Sequence, residues 1–197
     1  MELILESPPE EVIKALMDGL ESRFDFNVAH FKNYSPCSYI TGPHPVYQLS
    51  LVSLINGGFL REAFLVSWRF MVLDNETATA AIEVAVVDSL KQTYKFARWN
   101  VGRYVESTME GVLRAESITI NSRLNLRLLQ IPSLQLTALW LHGPNNPGEP
   151  VDFILPLVSP PTPVESYRLY TPDEILSILR LLADENLDVN DSTEPFG

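Results

Sequence analysis

The amino-acid sequence predicts an α+β domain, in which a largely antiparallel sheet of about six to eight strands is flanked by three helices. Apolar residues recur at helical spacing in residues 8–22, 101–115 and 172–184. Between these segments, apolar residues occupy every second position in consecutive runs, and such runs favour antiparallel strands. With 197 residues, 46% of them hydrophobic, the chain can bury a substantial core. We expect residues 1–185 to form one domain and the acidic residues 186–197 to form a flexible tail.

Capping patterns mark the predicted helix starts. Ser7 with Glu10, and Thr171 with Glu174, match the capping box, in which a hydroxyl and a carboxylate satisfy free backbone N–H groups. Asn100 can cap the middle helix. Apolar residues extend around the last helix beyond one stripe, so we expect it to be buried on more than one side.

Residues 60–98 decide the architecture, because they fit either three strands or two helices. In residues 64–72 large apolar side chains alternate without a break, which favours a strand. Residues 78–87 also alternate, although their alanines suit a helix as well. Residues 93–97 show the alternation of a strand with one exposed face. We predict three strands, with two helices as the alternative.

Other segments complete the predicted order of elements. The residue pattern indicates a short strand at 24–28, a loop at 32–45, a strand at 46–55 and a half-buried strand within 118–130. Asn56-Gly57-Gly58 is a turn signal, since these residues tolerate a positive φ.

Residues 131–158 predict a hairpin, because two apolar runs flank a segment rich in glycine, proline and asparagine. The first run is apolar on one face through Ala138 and Trp140 and on the other through Leu139 and Leu141. A strand that is apolar on both sides is typical of a position covered from both faces. We therefore place this hairpin at the centre of the sheet.

Composition and charge narrow the classes of function. The net charge of -11 and the pI of about 4.6 predict repulsion of nucleic acids and anionic membranes. No apolar run approaches the length of a membrane span, and the N-terminal residues do not resemble a secretory signal. Cys37 is the single cysteine, which fits a reducing compartment. We expect a cytoplasmic protein that does not act on membranes.

Cys37, His44, His142 and Asp152 are the candidate catalytic residues. Cys37 and His44 share a predicted loop, and a thiol near an imidazole is a nucleophile pattern. Asp152 lies across the predicted hairpin from His142. With His30, these histidines and the aspartate offer zinc-ligand types, but the sequence has no short ligand pair. We therefore expect separate turn or surface residues, with no metal and no cofactor.

Residues 91–127 carry seven basic and three acidic residues, and therefore a net charge of +4 in an acidic chain. Aromatic residues are interleaved with the bases, and we take Lys95, Arg98, Trp99 and Arg103 as candidate binding residues. Three interpretations fit: internal charge balance against the first helix, a surface for an acidic protein partner, or a surface on which single-stranded nucleic acid stacks. The overall acidity makes nucleic acid the least favoured of the three.

These observations predict a binding or protein-interaction domain without catalytic activity, whose partners are a second copy of the chain, giving a homodimer, or an acidic protein surface. The order helix, strands, helix, strands, helix in an acidic chain resembles that of the small acidic chaperones of bacterial secretion systems, which implies a chaperone-like role. This chain is longer than they are. The alternative is a small-molecule-binding protein or hydrolytic enzyme with a pocket between sheet and helices.

Overall fold

The computed structural model describes residues 1–24, 39–58, 60–118, 122–143 and 152–191, and it confirms the α+β class. In these ranges the helices are α1 (Glu10–Phe24), α2 (Leu51–Ile55), α3 (Arg103–Ser117) and α4 (Pro172–Asp191). The strands are β1 (Glu2–Ile4), β2 (Tyr39–Gln48), β3 (Phe64–Asp74), β4 (Thr77–Asp88), β5 (Thr93–Asn100), β6 (Arg123–Ile131), β7 (Leu136–His142) and β8 (Asp152–Pro156).

The described strands form one eight-stranded sheet in the order β5-β4-β3-β2-β6-β7-β8, with β1 beside the first half of β6. Neighbouring strands are antiparallel except that β6 runs parallel to both β1 and β2. After the β2–β5 meander, α3 therefore carries the chain across the sheet to the free side of β2. A parallel pair needs such a crossover, and a helix supplies it.

Helices cover both faces of the sheet. On one face α1 packs against β3, β4 and β5, mainly through Val12, Leu16 and Leu20, while α4 packs at the other end against β6, β7 and β8. On the opposite face α3 lies over the middle of the sheet. Tyr170 lies on the α4 face of the sheet and is almost fully buried.

Three strands occupy residues 60–98, as predicted. Trp68, Phe70 and Val72 are buried beneath α1, so their alternation in the sequence reflects one covered face of β3. The three predicted helices are also present, each with slightly different ends. The backbone of α4 continues to Asp191, beyond the predicted end at residue 184.

The predicted hairpin is present as β7 and β8, but its placement at the centre of the sheet is wrong. The pair lies at one end, because α3 returns the chain beside β2 and β7 and β8 then add outward. The prediction that its first strand is covered on both faces is confirmed. Ala138 and Trp140 pack in the α4 cluster, and Leu139 and Leu141 pack in the α3 cluster.

Two local predictions around β2 are wrong. Part of the predicted loop at residues 32–45 is strand, since β2 begins at Tyr39, and Pro43 falls within an irregularity of the β2–β3 register where a missing N–H is tolerated. The predicted strand at 46–55 stops at Gln48. Ser50 accepts a hydrogen bond from the Ser53 backbone N–H and begins the short helix α2 instead.

Some predictions lie outside the described residues: most of the predicted strand at 24–28, part of the loop at 32–45, and the tail beyond residue 191. Within the described ranges, no helix combines the length and hydropathy that crossing a membrane requires.

Gly19 marks the closest approach of α1 to β5, and replacing it with alanine should destabilise the fold. An added Cβ would lie 2.2 Å from Phe96 Cβ, so α1 would have to move away from the sheet. Helix propensity alone would favour alanine by about 1 kcal/mol, but overpacking costs about 1–3 kcal/mol. Because the clash is with Phe96 Cβ, which moves only with the backbone, the cost should fall in the upper part of this range, and we expect Gly19→Ala to lower the free energy of unfolding by about 1–2 kcal/mol in urea titrations.

The neighbouring exposed residue provides the control for this substitution. Asp18→Ala should change the free energy of unfolding by less than about 0.5 kcal/mol. A Gly19→Ala protein as stable as the wild type, or more stable, would show that α1 does not pack this closely on β5.

Candidate functional site

β5 and the start of α3 carry the four predicted binding residues, but these do not form one continuous surface. Lys95 and Arg98 lie on the sheet face that α3 covers, opposite Ala85 and Glu83 in register. Trp99 packs on the other face with the α1 cluster. Arg103 is exposed at the first position of α3 and donates a 2.8 Å hydrogen bond to Ser159 Oγ. The structure therefore places Lys95 and Arg98 on one face of β5 and Trp99 on the other, so the predicted basic-aromatic surface is not formed.

Arg98 belongs to a charged network that is centred on the buried Glu83. The Glu83 carboxylate, whose side chain is only 3% exposed, accepts hydrogen bonds from Arg69 Nε at 2.9 Å and from Arg98 Nε at 2.8 Å. Arg69 Nη2 also contacts Glu83 Oε1. Asn100 Nδ2 adds a 3.4 Å contact to the same oxygen. Charged groups are rarely buried unless they are paired in this way.

The electrostatics of Glu83 follow from these contacts. Burial raises the pKa of the Glu83 carboxyl, but the Arg69 and Arg98 guanidinium groups outweigh burial and hold its pKa below the usual value. The network borders a cleft of about 240 Å³ at the first turn of α3, which Tyr104, Gln130 and Thr137 also line.

The sequence carries a signal for this network, although Arg69 and Glu83 are not among the predicted site residues. Arg69 and Glu83 are isolated charges in two alternating runs, placed almost symmetrically about the turn at residues 74–77. In an antiparallel pair such positions face each other, so opposite charges there predict a cross-strand ion pair.

His44 lies in β2 rather than in the predicted loop. It is buried, with 2% of its surface exposed, and it is the register partner of Arg69. Burial, followed by the positive charge of Arg69, lowers the pKa of the His44 imidazole to about 3, so the ring is neutral at physiological pH. Its Nε2 atom has no hydrogen-bond partner in the structure as described. Cys37, the proposed partner of His44, lies outside the described residues.

His142 and Asp152 come together across the hairpin, with His142 Nδ1 2.6 Å from Asp152 Oδ1. The His142 ring meets the Trp140 ring edge-on, at 5.5 Å between centroids. Both residues face the α4 side of the sheet, whereas His44 faces the α3 side. The structure therefore joins two of the four candidate catalytic residues and places His44 elsewhere.

Arg127 extends the His142–Asp152 pair into a mixed cluster. Its guanidinium lies 5.1 Å from the centroid of the Tyr47 ring and 5.0 Å from that of Trp140, and its Nε donates to Glu6 Oε1 at 2.5 Å. These contacts join the segment after β1 to β2, β6 and β7. The described residues contain no group of three or more His, Cys, Asp or Glu side chains placed to hold a metal ion.

Comparison with known proteins returns no relative: no protein-family model matches the chain, and no curated protein or solved structure is significantly similar to it.

The neutral state of His44 predicts how stability depends on pH. Because the pKa is about 3 in the folded chain and 6.5 in the unfolded chain, the unfolded state takes up a proton that the folded state excludes between these values. The contribution of His44 to the free energy of unfolding is therefore fully present above pH 6.5 and is lost as the pH falls toward 3. Between pH 7 and pH 5, the wild type should lose about 2 kcal/mol from this residue alone.

Urea unfolding of the wild type and of His44→Leu at both pH values isolates this contribution. Acidification should cost the variant about 2 kcal/mol less than it costs the wild type, since all other titrating groups are shared. An equal loss of stability in the two proteins would mean that His44 titrates normally.

Proposed function

We propose that this chain is a non-catalytic protein-binding domain, and that an extended acidic segment of a partner adds to the sheet at β5. The observation that carries this proposal is the edge of β5. β5 pairs with β4 on one side, and in the described part of the chain no strand pairs with its other side. A free strand edge offers a row of backbone N–H and C=O groups, to which an extended peptide adds as a further strand.

The opposite edge of the sheet differs from β5. There Ile154 of β8 exchanges two 2.9 Å backbone hydrogen bonds with Tyr170, and Tyr167 donates a further backbone hydrogen bond to Pro156. The chain itself thus bridges the outer side of β8. This contrast favours β5 as the edge that receives a partner.

Charge at β5 favours an acidic partner over a second copy of this edge. Lys95 and Arg98 are exposed on the α3 side of the strand, and the Arg98 side chain is 59% exposed although it also pairs with Glu83. If two copies paired through β5, these like charges would lie close together, which is unfavourable across strands. Acidic side chains on an added strand would be attracted instead. The predicted homodimer would need another surface.

The α1 side of β5 suggests what the other residues of the added strand should be. A groove of about 590 Å³ lies between α1 and β5; Tyr94 and Phe96 form the aromatic part of its lining, and Glu11, Lys14 and Asp18 of α1 form a charged part. Side chains alternate between the two faces of a strand. A partner segment that alternates acidic residues, toward Lys95 and Arg98, with apolar residues, toward this groove, therefore fits both faces.

The proposal predicts that a labelled peptide of eight alternating Glu and Val residues binds the protein, and that Lys95→Glu weakens binding about tenfold at low salt. Fluorescence anisotropy at two salt concentrations measures both effects. Arg123→Glu is the matched control, because it makes the same charge change at a side chain that is 70% exposed on β6. That variant should bind the peptide like the wild type.

A second peptide separates strand addition from simple charge attraction. N-methylation at every second residue removes backbone donors without changing charge, so this peptide should bind at least about tenfold more weakly. Equal binding of the two peptides, or equal effects of Lys95→Glu and Arg123→Glu, would contradict docking at β5.

A further inference from the structure

A cavity of about 220 Å³ lies between α3 and the sheet, away from β5. Most of its lining is apolar, with contributions from Leu3, Leu5, Met71, Leu73, Met109 and Leu126. Two of the lining residues, Leu5 and Glu116, are solvent-exposed. These two residues therefore mark the side from which a molecule could enter. A largely apolar cavity with few polar groups is the usual form of a small-molecule site.

His44 supplies the unsatisfied polar group in this cavity. His44 is one of the lining residues, and its Nε2 atom, which is buried, has no hydrogen-bond partner among the described residues. Thr108, which also lines the cavity, already donates its hydroxyl to the Tyr104 carbonyl at 2.8 Å. Leaving a buried polar atom without a partner is unfavourable, so a ligand that hydrogen-bonds to it would be stabilised by that contact.

We propose that this cavity binds a small neutral molecule with an apolar body and one hydroxyl or carbonyl group that hydrogen-bonds to His44 Nε2. A neutral imidazole can donate or accept at this atom, depending on its tautomer, so both groups are suitable. This site is separate from the β5 edge, and it goes beyond the protein-binding function proposed above.

Charge and size define the class of ligand. The low pKa of His44 leaves no positive charge on the ring, and Glu83 already compensates the adjacent Arg69. An anionic ligand would therefore lose its hydration without gaining a counter-charge. A cationic ligand would meet only Glu116, which is exposed at the entrance and screened by solvent. The volume lies between about 150 Å³, which admits benzene, and about 300 Å³, where sites for drug-sized ligands begin. Phenols and short-chain alcohols or ketones fit these limits.

Phenol and toluene test the proposal, because they differ by a hydroxyl in place of a methyl group. NMR titration should show millimolar or tighter binding of phenol by the wild type, with the largest shift changes in β2, β3 and α3. In His44→Leu, the affinity for phenol relative to toluene should fall at least about tenfold, because the hydroxyl loses its buried partner. The ¹⁵N resonance of His44 Nε2 should move when phenol, but not toluene, is added to the wild type.

Two tryptophan variants on α3 locate the site independently of His44. Met109→Trp fills the cavity and should abolish binding of both probes. Leu113→Trp makes a similar change at a residue that is exposed on the same helix, and it should leave binding intact. These variants also keep the proposal testable if His44→Leu does not fold.

Three results would overturn the proposal. They are no binding of phenol by the wild type at millimolar concentration, the same phenol-to-toluene ratio in the wild type and His44→Leu, and unchanged binding in Met109→Trp. The second result would show that the cavity admits apolar molecules without any role for His44.

Discussion

The middle of this structure depends on the hydrogen bonds that the Glu83 carboxylate accepts. β3, β4 and β5 each place one charged side chain at the same point beneath α3, and Glu83 accepts hydrogen bonds from both Arg69 and Arg98. Without it, the Arg69 guanidinium would be buried with no counter-charge, which is among the costliest defects in a protein interior. The network also fixes the register of the meander, because its three charged members come from three different strands.

Within the described part of the chain, the same region contains a charged pair whose hydrogen bonds are satisfied and an imidazole with an unsatisfied nitrogen. Arg69 and Glu83 satisfy each other, so structural charge balance accounts for them. His44 is their neighbour in the sheet, and the positive charge of Arg69 helps to keep its imidazole neutral. Burial is the larger cause of the low pKa of His44, and the ion network adds to it without lining the adjacent cavity. A ligand at His44 would give its Nε2 atom the hydrogen-bond partner that it lacks among the described residues.

Strand type and exposure were readable from the sequence where alternation was strong, as in β3, where Trp68, Phe70 and Val72 share one buried face. The pairing of His142 with Asp152 was also foreseeable, since a hairpin brings these residues opposite each other. The order of the strands was not foreseeable from local pattern. β6 joins β2 through the α3 crossover, a long-range pairing that no short window contains, and this places the hairpin at the end of the sheet.

His44 and α2 show two further limits of local patterns. The prolines around His44 indicated a loop, yet β2 accommodates them at a register irregularity, and burial then changes the chemistry of the imidazole. At α2, the Ser50 side chain caps a helix in a segment whose alternating residues predict a strand. In the first case the pairing with β3 outweighs the local tendency of the segment, and in the second a side-chain cap does so.

Urea unfolding at pH 7 of Glu83→Gln, alone and combined with Arg69→Met, tests the central claim that charge in this interior is balanced by one carboxylate. The single variant leaves Arg69 without a counter-charge and should lose about 3–5 kcal/mol, whereas the double variant removes both charges and should recover most of that loss. A single variant within about 1 kcal/mol of the wild type, or a double variant no more stable than the single one, would contradict the account.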